Sequence, residues 1–273
     1  SHTKPTSRMG GVAILLGLGV FCFYTFSYPS YYYLMGCLGF GLLGFYDDYR
    51  PLSPFIRLGV QLVLAFHLAF HLAPHDHGPA FCLAVWIVGF VNVFNFMDGL
   101  NGMSGLTALI YAVFFILWIP ELEPFMVSLA ASLVGFLIYN MQGKLFLGDG
   151  GSYFLGSLLA TCPFLSRPPD HAYWSHMAFF VPLLFGLYLF DTGLTFVKRL
   201  YKGENVFTPH KQHLYQRLHQ KGWSHLQVSS LYGFFQTVLV GTMLFYYNPW
   251  FLYPLWFSVF SCIALYEKKL CPL

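Results

Sequence analysis

Carboxylates, amides and cations gather in four short segments of an otherwise apolar chain. Asp47 and Asp48 stand side by side, and Asn92, Asn95, Asp98 and Asn101 recur every third residue. Gly148-Asp149-Gly150-Gly151-Ser152 sets one acid among glycines, and the stretch Asn205 to Arg217 carries His210, Lys211, His213 and Arg217. Adjacent carboxylates repel unless a cation or proton relieves them, and Mg²⁺ is usually held by one or two carboxylates plus substrate phosphates. Offsets of three line one flank of a helix, and Asn offers the donors and acceptor that a nucleotide base, ribose or N-acetyl group requires. A glycine-rich helix start brings backbone N–H groups to a phosphate, with Ser152 as its N-cap. Cations in the fourth segment suit phosphate oxygens. The chemistry expected is a metal–diphosphate reaction on a lipid. Blander readings are a solvated helix end, polar glue between helices, a simple turn, and attraction to an anionic leaflet.

Apolar runs must position these segments. A crossing needs roughly 17–25 mostly apolar residues, and ten runs qualify: 10–27, 30–46, 57–73, 79–97, 103–119, 124–141, 151–167, 173–197, 227–246 and 249–266. Turn chemistry fills the short connectors, such as Pro74 to Pro79 and Pro120 to Pro124. One long polar loop runs from Lys198 to Leu226. Alternating the sides collects Lys4, Arg8, Arg50, Arg57, Lys144, Lys198, Arg199, Lys202, Lys211, Arg217, Lys221, Lys268 and Lys269 on one face, leaving Arg167 as the only other member of the 14 Lys and Arg. The positive-inside rule makes that face cytoplasmic, and all four segments fall on it. Tyr31-Tyr32-Tyr33 and Tyr246 to Trp256 fall at the opposite interface, as aromatic belts do. Gly36, Gly39, Gly41 and Gly44 make a close-packing face on the second span. Asp191, inside the eighth span, is a functional candidate with Arg199 as partner.

Composition agrees. The 273 residues are 57% hydrophobic and 9% charged, against about 25% charged in soluble domains. The fold class expected is all-α, a polytopic membrane bundle of about ten helices forming a single domain over 1–273. The start at Ser1 reads as a loop cut midway, and an eleventh, N-terminal helix is expected upstream. Six scattered cysteines read as small buried hydrophobes. His67 and His71 have metal-compatible spacing but read as packing. A net charge of +3 without a basic aromatic patch excludes nucleic acid. A transporter is the rival class, disfavoured by the scarcity of polar residues in the outer halves of the spans.

The ordered segments resemble the polyprenyl-phosphate N-acetylhexosamine-1-phosphate transferases. PTSRMGG is similar to that family's first cytoplasmic loop, FYDDYRPLSP to its aspartate pair, NVFNFMDGLNG to its Asn-rich nucleotide loop, FLGDGGS to its glycine–aspartate motif, and FTPHKQHLYQRL to its histidine loop. His210-Lys211-Gln212-His213 replaces the triple histidine of the peptidoglycan branch, so the chain looks closer to the initiators of O-antigen and related polysaccharides. Lys211 stands where an arginine is common and Tyr215 where a further histidine often sits. The resemblance implies transfer of a HexNAc-1-phosphate from a UDP-N-acetylhexosamine to undecaprenyl phosphate at the cytoplasmic face of the bacterial inner membrane. It implies Asp47, Asp48, Asp149, His210 and His213 as catalytic groups. Asn92, Asn95, Asp98, Asn101, Lys211, Arg199, Arg217, Thr6 and Arg8 would bind substrate. Asp149 and Asn95 would hold Mg²⁺, with Mn²⁺ as substitute. The implied partners are both substrates and the bilayer, with homodimerisation left open.

Overall fold

The computed structural model describes residues 7–25, 28–165, 171–205, 208, 211–246 and 248–270. These fold into helices, with no strand among the described residues: α1 (Gly10–Thr25), α2 (Tyr28–Tyr49), α3 (Pro54–Leu72), α4 (His77–Phe96), α5 (Met103–Trp118), α6 (Glu123–Asn140), α7 (Gly148–Thr161), α8 (His171–Leu184), α9 (Gly186–Tyr201), α10 (Leu214–Gln220), α11 (His225–Phe245) and α12 (Pro249–Leu270). Thr6 and His210 lie outside the described residues.

Local sequence sets the boundaries. Ser53 caps α3 by accepting from the Ile56 N–H at 3.3 Å, with Pro54 behind it at a position where a missing N–H costs nothing. Ser224 and Gln227 form a reciprocal capping box on α11. Four helices are each long and apolar enough to cross a bilayer, or five if α8 and α9 count as one bent span. Phe81, Leu117, Ile138, Phe179 and Phe234 all stand exposed on the helix surfaces, too much apolar area for a water-facing surface.

The eighth span departs from the expected continuous helix. It breaks at Phe185, and α8 and α9 meet at 79°. Pro182 removes one helical donor just before the break. The carbonyl of Leu184 there accepts from Tyr111 Oη at 2.9 Å and Gln236 Nε2 at 3.3 Å. Broken backbone in an apolar interior requires such replacement partners.

The glycine face of α2 is really two faces. A Cβ on Gly36 or Gly39 would strike Leu68 or Leu64 of α3. A Cβ on Gly44 would lie 2.2 Å from the Asp149 carbonyl of α7. The interior helix α7, buried from Gly150 to Thr161, is the bundle's axle. Tyr33, expected in an outer belt, is buried instead and donates to the Leu158 carbonyl at 2.8 Å. Cys37 and Cys162 are buried as expected, whereas Cys82 and Cys262 are exposed.

Candidate active site

The end of α2, the turn after α4, the start of α7 and the segment around α10 enclose one cavity of about 640 Å³. Arg8, Asp48, Asn95, Asp98, Asn101, Asp149 and Lys211 line it together with Asn140, Gln216, His219, Gln220 and His225.

Asp149 sits in the first turn of α7, where an acidic side chain meets the positive end of the helix. Asn95 Nδ2 holds it by donating to Asp149 Oδ1 at 2.8 Å and also to Ser152 Oγ at 2.9 Å. Asp48 accepts from the Gly150 N–H at 3.2 Å and pairs with the exposed Arg8 at 3.4 Å. The α7 start is fixed from a third direction by the N-terminal segment: Phe146 N–H donates to Ser7 O at 2.9 Å, Gly10 N–H to Phe146 O at 2.9 Å, and Gly11 N–H to Leu147 O at 3.0 Å. Gly11 packs so closely on Gly151 that a Cβ would lie 2.5 Å from its backbone. The glycines of this motif therefore admit neighbouring helices, and one of their N–H groups serves Asp48 rather than standing open for phosphate. Ser152, expected as the N-cap, lies inside the helix, which begins at Gly148.

The every-third-residue pattern splits at Phe96, where α4 ends. Asn92 lies on the helix and donates to Gln61 Oε1 at 2.7 Å and Val88 O at 2.8 Å, so it ties α4 to α3 and does not line the cavity. Asp98 and Asn101 belong to the following turn, which closes with Gly102 at φ +84°. Asn140 Oδ1 receives the Gly102 N–H at 2.6 Å, and His225 Nδ1 receives the Asn101 N–H at 3.0 Å. Desolvation, reinforced by the charges of Asp149 and Asp48, pushes the Asp98 carboxyl up from 3.8 to about 8.

Several expected site residues are engaged elsewhere. Asp47 is buried, accepting from the Leu52 N–H at 2.7 Å and from Arg57 at 2.8 Å, and it does not line the cavity. His213 is buried at the start of α10, its Nδ1 3.6 Å from Asp191. Arg199 pairs with Glu204 at 3.0 Å and donates to Asn205 O at 2.6 Å and Thr208 Oγ1 at 2.9 Å, organising the loop rather than meeting the cavity. Arg199 and Gln212 together hold the Glu204 carboxyl below its ordinary range. Arg217 lies on α10 and does not line the cavity. Lys211 does.

Sequence reasoning missed Asn140, Gln216, His219, Gln220 and His225. A polar residue at an inner span end marks Asn140. The six-residue interval from His219 to His225 carries no recognisable spacing and becomes informative only through the turn at Gly222, which has φ +97°. Among the described residues no three His, Cys, Asp or Glu side chains converge as a self-sufficient metal cage.

Residues 30–166 match the glycosyl transferase family 4 pattern. The chain is 31% identical to an undecaprenyl-phosphate alpha-N-acetylglucosaminyl 1-phosphate transferase from Thermotoga maritima, an alignment covering 97% of this chain and 84% of that protein. It is 30% identical to a probable undecaprenyl-phosphate N-acetylglucosaminyl 1-phosphate transferase from Bacillus subtilis, over 82% of this chain and 68% of the relative. A phospho-N-acetylmuramoyl-pentapeptide-transferase from Staphylococcus epidermidis is 30% identical over a smaller share, 59% of this chain and 63% of the relative. The ordered motifs, the helical frame and these alignments agree: the chain belongs to glycosyl transferase family 4.

Proposed function

We propose that the protein transfers a HexNAc-1-phosphate, GlcNAc-1-phosphate by the names of its relatives, from a UDP-sugar to undecaprenyl phosphate and releases UMP. The reaction initiates a cell-surface polysaccharide at the cytoplasmic face of the bacterial inner membrane. The observation that carries this reading is the convergence of Asp48, Asp98 and Asp149 with Arg8 and Lys211 on one cavity at the helix ends. Read as crossings, α1 to α7, the α8/α9 pair, α11 and α12 make ten, with α10 lying off the membrane path.

In the reaction, an oxygen of the lipid phosphate forms a bond to the sugar-bearing phosphorus, and the bond from that phosphorus to the UMP oxygen breaks. Both reactants are anions, so positioning and charge cancellation are most of the problem. Arg8 and Lys211 supply cations for the phosphate oxygens. Asp48, held by the Gly150 N–H, faces the cavity and orients the lipid phosphate, taking its proton when one is present. A phosphate monoester loses that proton near pH 6, so little base strength is needed. Asn95, Asp98 and Asn101 contact the nucleotide side.

A hard divalent cation fits this residue set. Three carboxylates share one cavity, and burial, with the charges of Asp149 and Asp48 adding to it, already raises Asp98. Asp149, steadied by Asn95, would be the principal ligand of Mg²⁺, with Mn²⁺ as substitute. When bound, the cation neutralises diphosphate charge as a Lewis acid. The test is UMP release by purified protein from a panel of UDP-HexNAc donors with undecaprenyl phosphate, with and without EDTA. Lipid- and metal-dependent UMP from one donor supports the proposal. Release only from UDP-MurNAc-pentapeptide moves the chain to the peptidoglycan branch, and release from no donor removes the transferase reading.

A further inference from the structure

The buried carboxylate of Asp191 belongs to no part of the cavity, yet it is among the most heavily engaged side chains in the protein. It is 1% exposed and sits on α9, just past the 79° break. Its Oδ1 accepts from the Leu214 N–H at 2.8 Å and its Oδ2 from the Tyr215 N–H at 3.3 Å, both in the first turn of α10. Tyr232 of α11 donates its hydroxyl to Oδ2 at 2.6 Å. His213 Nδ1 lies 3.6 Å away. One carboxylate thus fastens three helices together.

What it fastens is a wall with two faces. Leu214 and Leu218, one turn apart on α10, line a separate apolar cavity of about 450 Å³ toward α9, α11 and α12. Gln216, His219 and Gln220 line the polar cavity that holds Asp48 and Asp149. A seven-residue helix is too short to hold its own shape in water, so its register must come from tertiary anchors. Asp191 meets two of its otherwise unpartnered first-turn N–H groups, and an ionised acceptor makes each of those bonds stronger than a neutral one would. A rotation of α10 by one residue, about 100°, would carry the leucines out of the apolar cavity and the glutamines off the polar one.

We infer that Asp191 is a positioning residue for the donor-facing wall: it fixes the rotation of α10, so that Gln216, His219 and Gln220 meet the nucleotide-sugar. The inference rests on the transferase reading and adds a residue that never touches the reacting atoms.

Two variants test it, assayed as intact protein in detergent with UDP-GlcNAc, undecaprenyl phosphate and Mg²⁺. Asp191→Asn keeps one acceptor oxygen and loses the charge and the second acceptor. It should raise the donor KM by about tenfold, while kcat at saturating donor stays within about threefold and the lipid KM within about twofold. Trypsin should cut faster between Lys211 and Lys221. Tyr232→Phe removes a single donor to Asp191 and should shift the donor KM the same way by about threefold. A donor KM within about twofold of wild type in both variants overturns the inference, as does a loss of about a hundredfold in kcat at unchanged donor KM, which would put the carboxylate in the chemistry. If Asp191→Asn does not fold, the Tyr232→Phe result decides by the same limits. Absence of UMP release from the wild-type protein would instead be failure of the transferase reading itself.

Discussion

Asp47 and Asp48 are adjacent in sequence and opposite in surroundings. Asp47 turns toward α3, where Arg57 and the Leu52 N–H consume its acceptors. Asp48 turns toward the cavity, with Arg8 as its charged partner. Asp48→Ala and Asp149→Ala should each cost turnover about a thousandfold or more while leaving a folded protein in detergent. Asp47→Asn should instead destabilise, by about 1–3 kcal/mol once the partial exposure of Arg57 is discounted, and reduce activity only through that loss. Thermal melting beside UMP release separates the two effects; a Asp48→Ala protein with wild-type turnover would remove it from the mechanism. Asp98 adds a pH signature. Its folded carboxyl sits near 8 against an ordinary 3.8, so between those values the folded chain holds a proton that the unfolded chain has released. Unfolding free energy must then fall as pH rises through that window. Asp98→Asn should flatten the fall, read as melting temperature from pH 5 to pH 8 without divalent cation; an unchanged slope would reassign it. The sequence disclosed which residue types the site uses, but not which member of the Asp47–Asp48 pair faces it. That choice depends on Arg57 and Tyr153, 10 and 106 positions away.

At the scale of elements, the α2–α7 contact decides whether the site exists. Asp48 on one helix and Asp149 on the other come together because Gly44 lets α2 rest against the Asp149 backbone, and Gly11 does the same for α1 against Gly151. Gly44→Ala would put a methyl group 2.2 Å from a carbonyl oxygen that cannot move without unwinding α7. The expected cost is about 1–3 kcal/mol, with a loss of turnover larger than the stability change alone explains, because the carboxylates shift apart. Gly135→Ala on the exposed face of α6, where a Cβ meets nothing within 4 Å, is the control and should be neutral or stabilising by up to about 1 kcal/mol. Equal behaviour of the two variants would refute the packing argument. The glycine spacing of α2 was readable in the sequence as a close-packing face; its division between α3 and α7 was not, since that needs the partners. The break at Phe185 was unreadable for a similar reason. Pro182 lies three residues early, and what makes the break tolerable is supplied by Tyr111 and Gln236 from other helices.

Across the whole molecule, the proposed sidedness of the site turns on the bent α8/α9 pair. A 79° break admits two topologies, one broken crossing or a re-entrant loop returning to its starting face. The hydrogen bonds favour the crossing. Trp174 near the start of α8 reaches Asp76, which precedes α4, at 3.3 Å. The far end of α4 carries Asn95 and the cavity, and Lys211, in the segment after α9, lines that same cavity. The pair therefore begins at one end of α4 and finishes at the other. A crossing also keeps Lys198, Arg199, Lys202 and Lys211 with Arg8 and Lys144 on the side favoured by positive charge. With α6 and α7 as the proposed crossings, a crossing pair makes three between Glu121 and Lys202, against two if the pair is re-entrant. Single-cysteine variants Glu121→Cys and Lys202→Cys, in a background with the native cysteines replaced, test this directly with a membrane-impermeant maleimide. Labelling of Lys202→Cys only in inside-out vesicles, and of Glu121→Cys only in right-side-out vesicles, is the expected pattern. Labelling of both from one face would make the pair re-entrant and would move Lys211 away from the face that holds Asp48 and Asp149, dissolving the cavity on which the catalytic assignment stands.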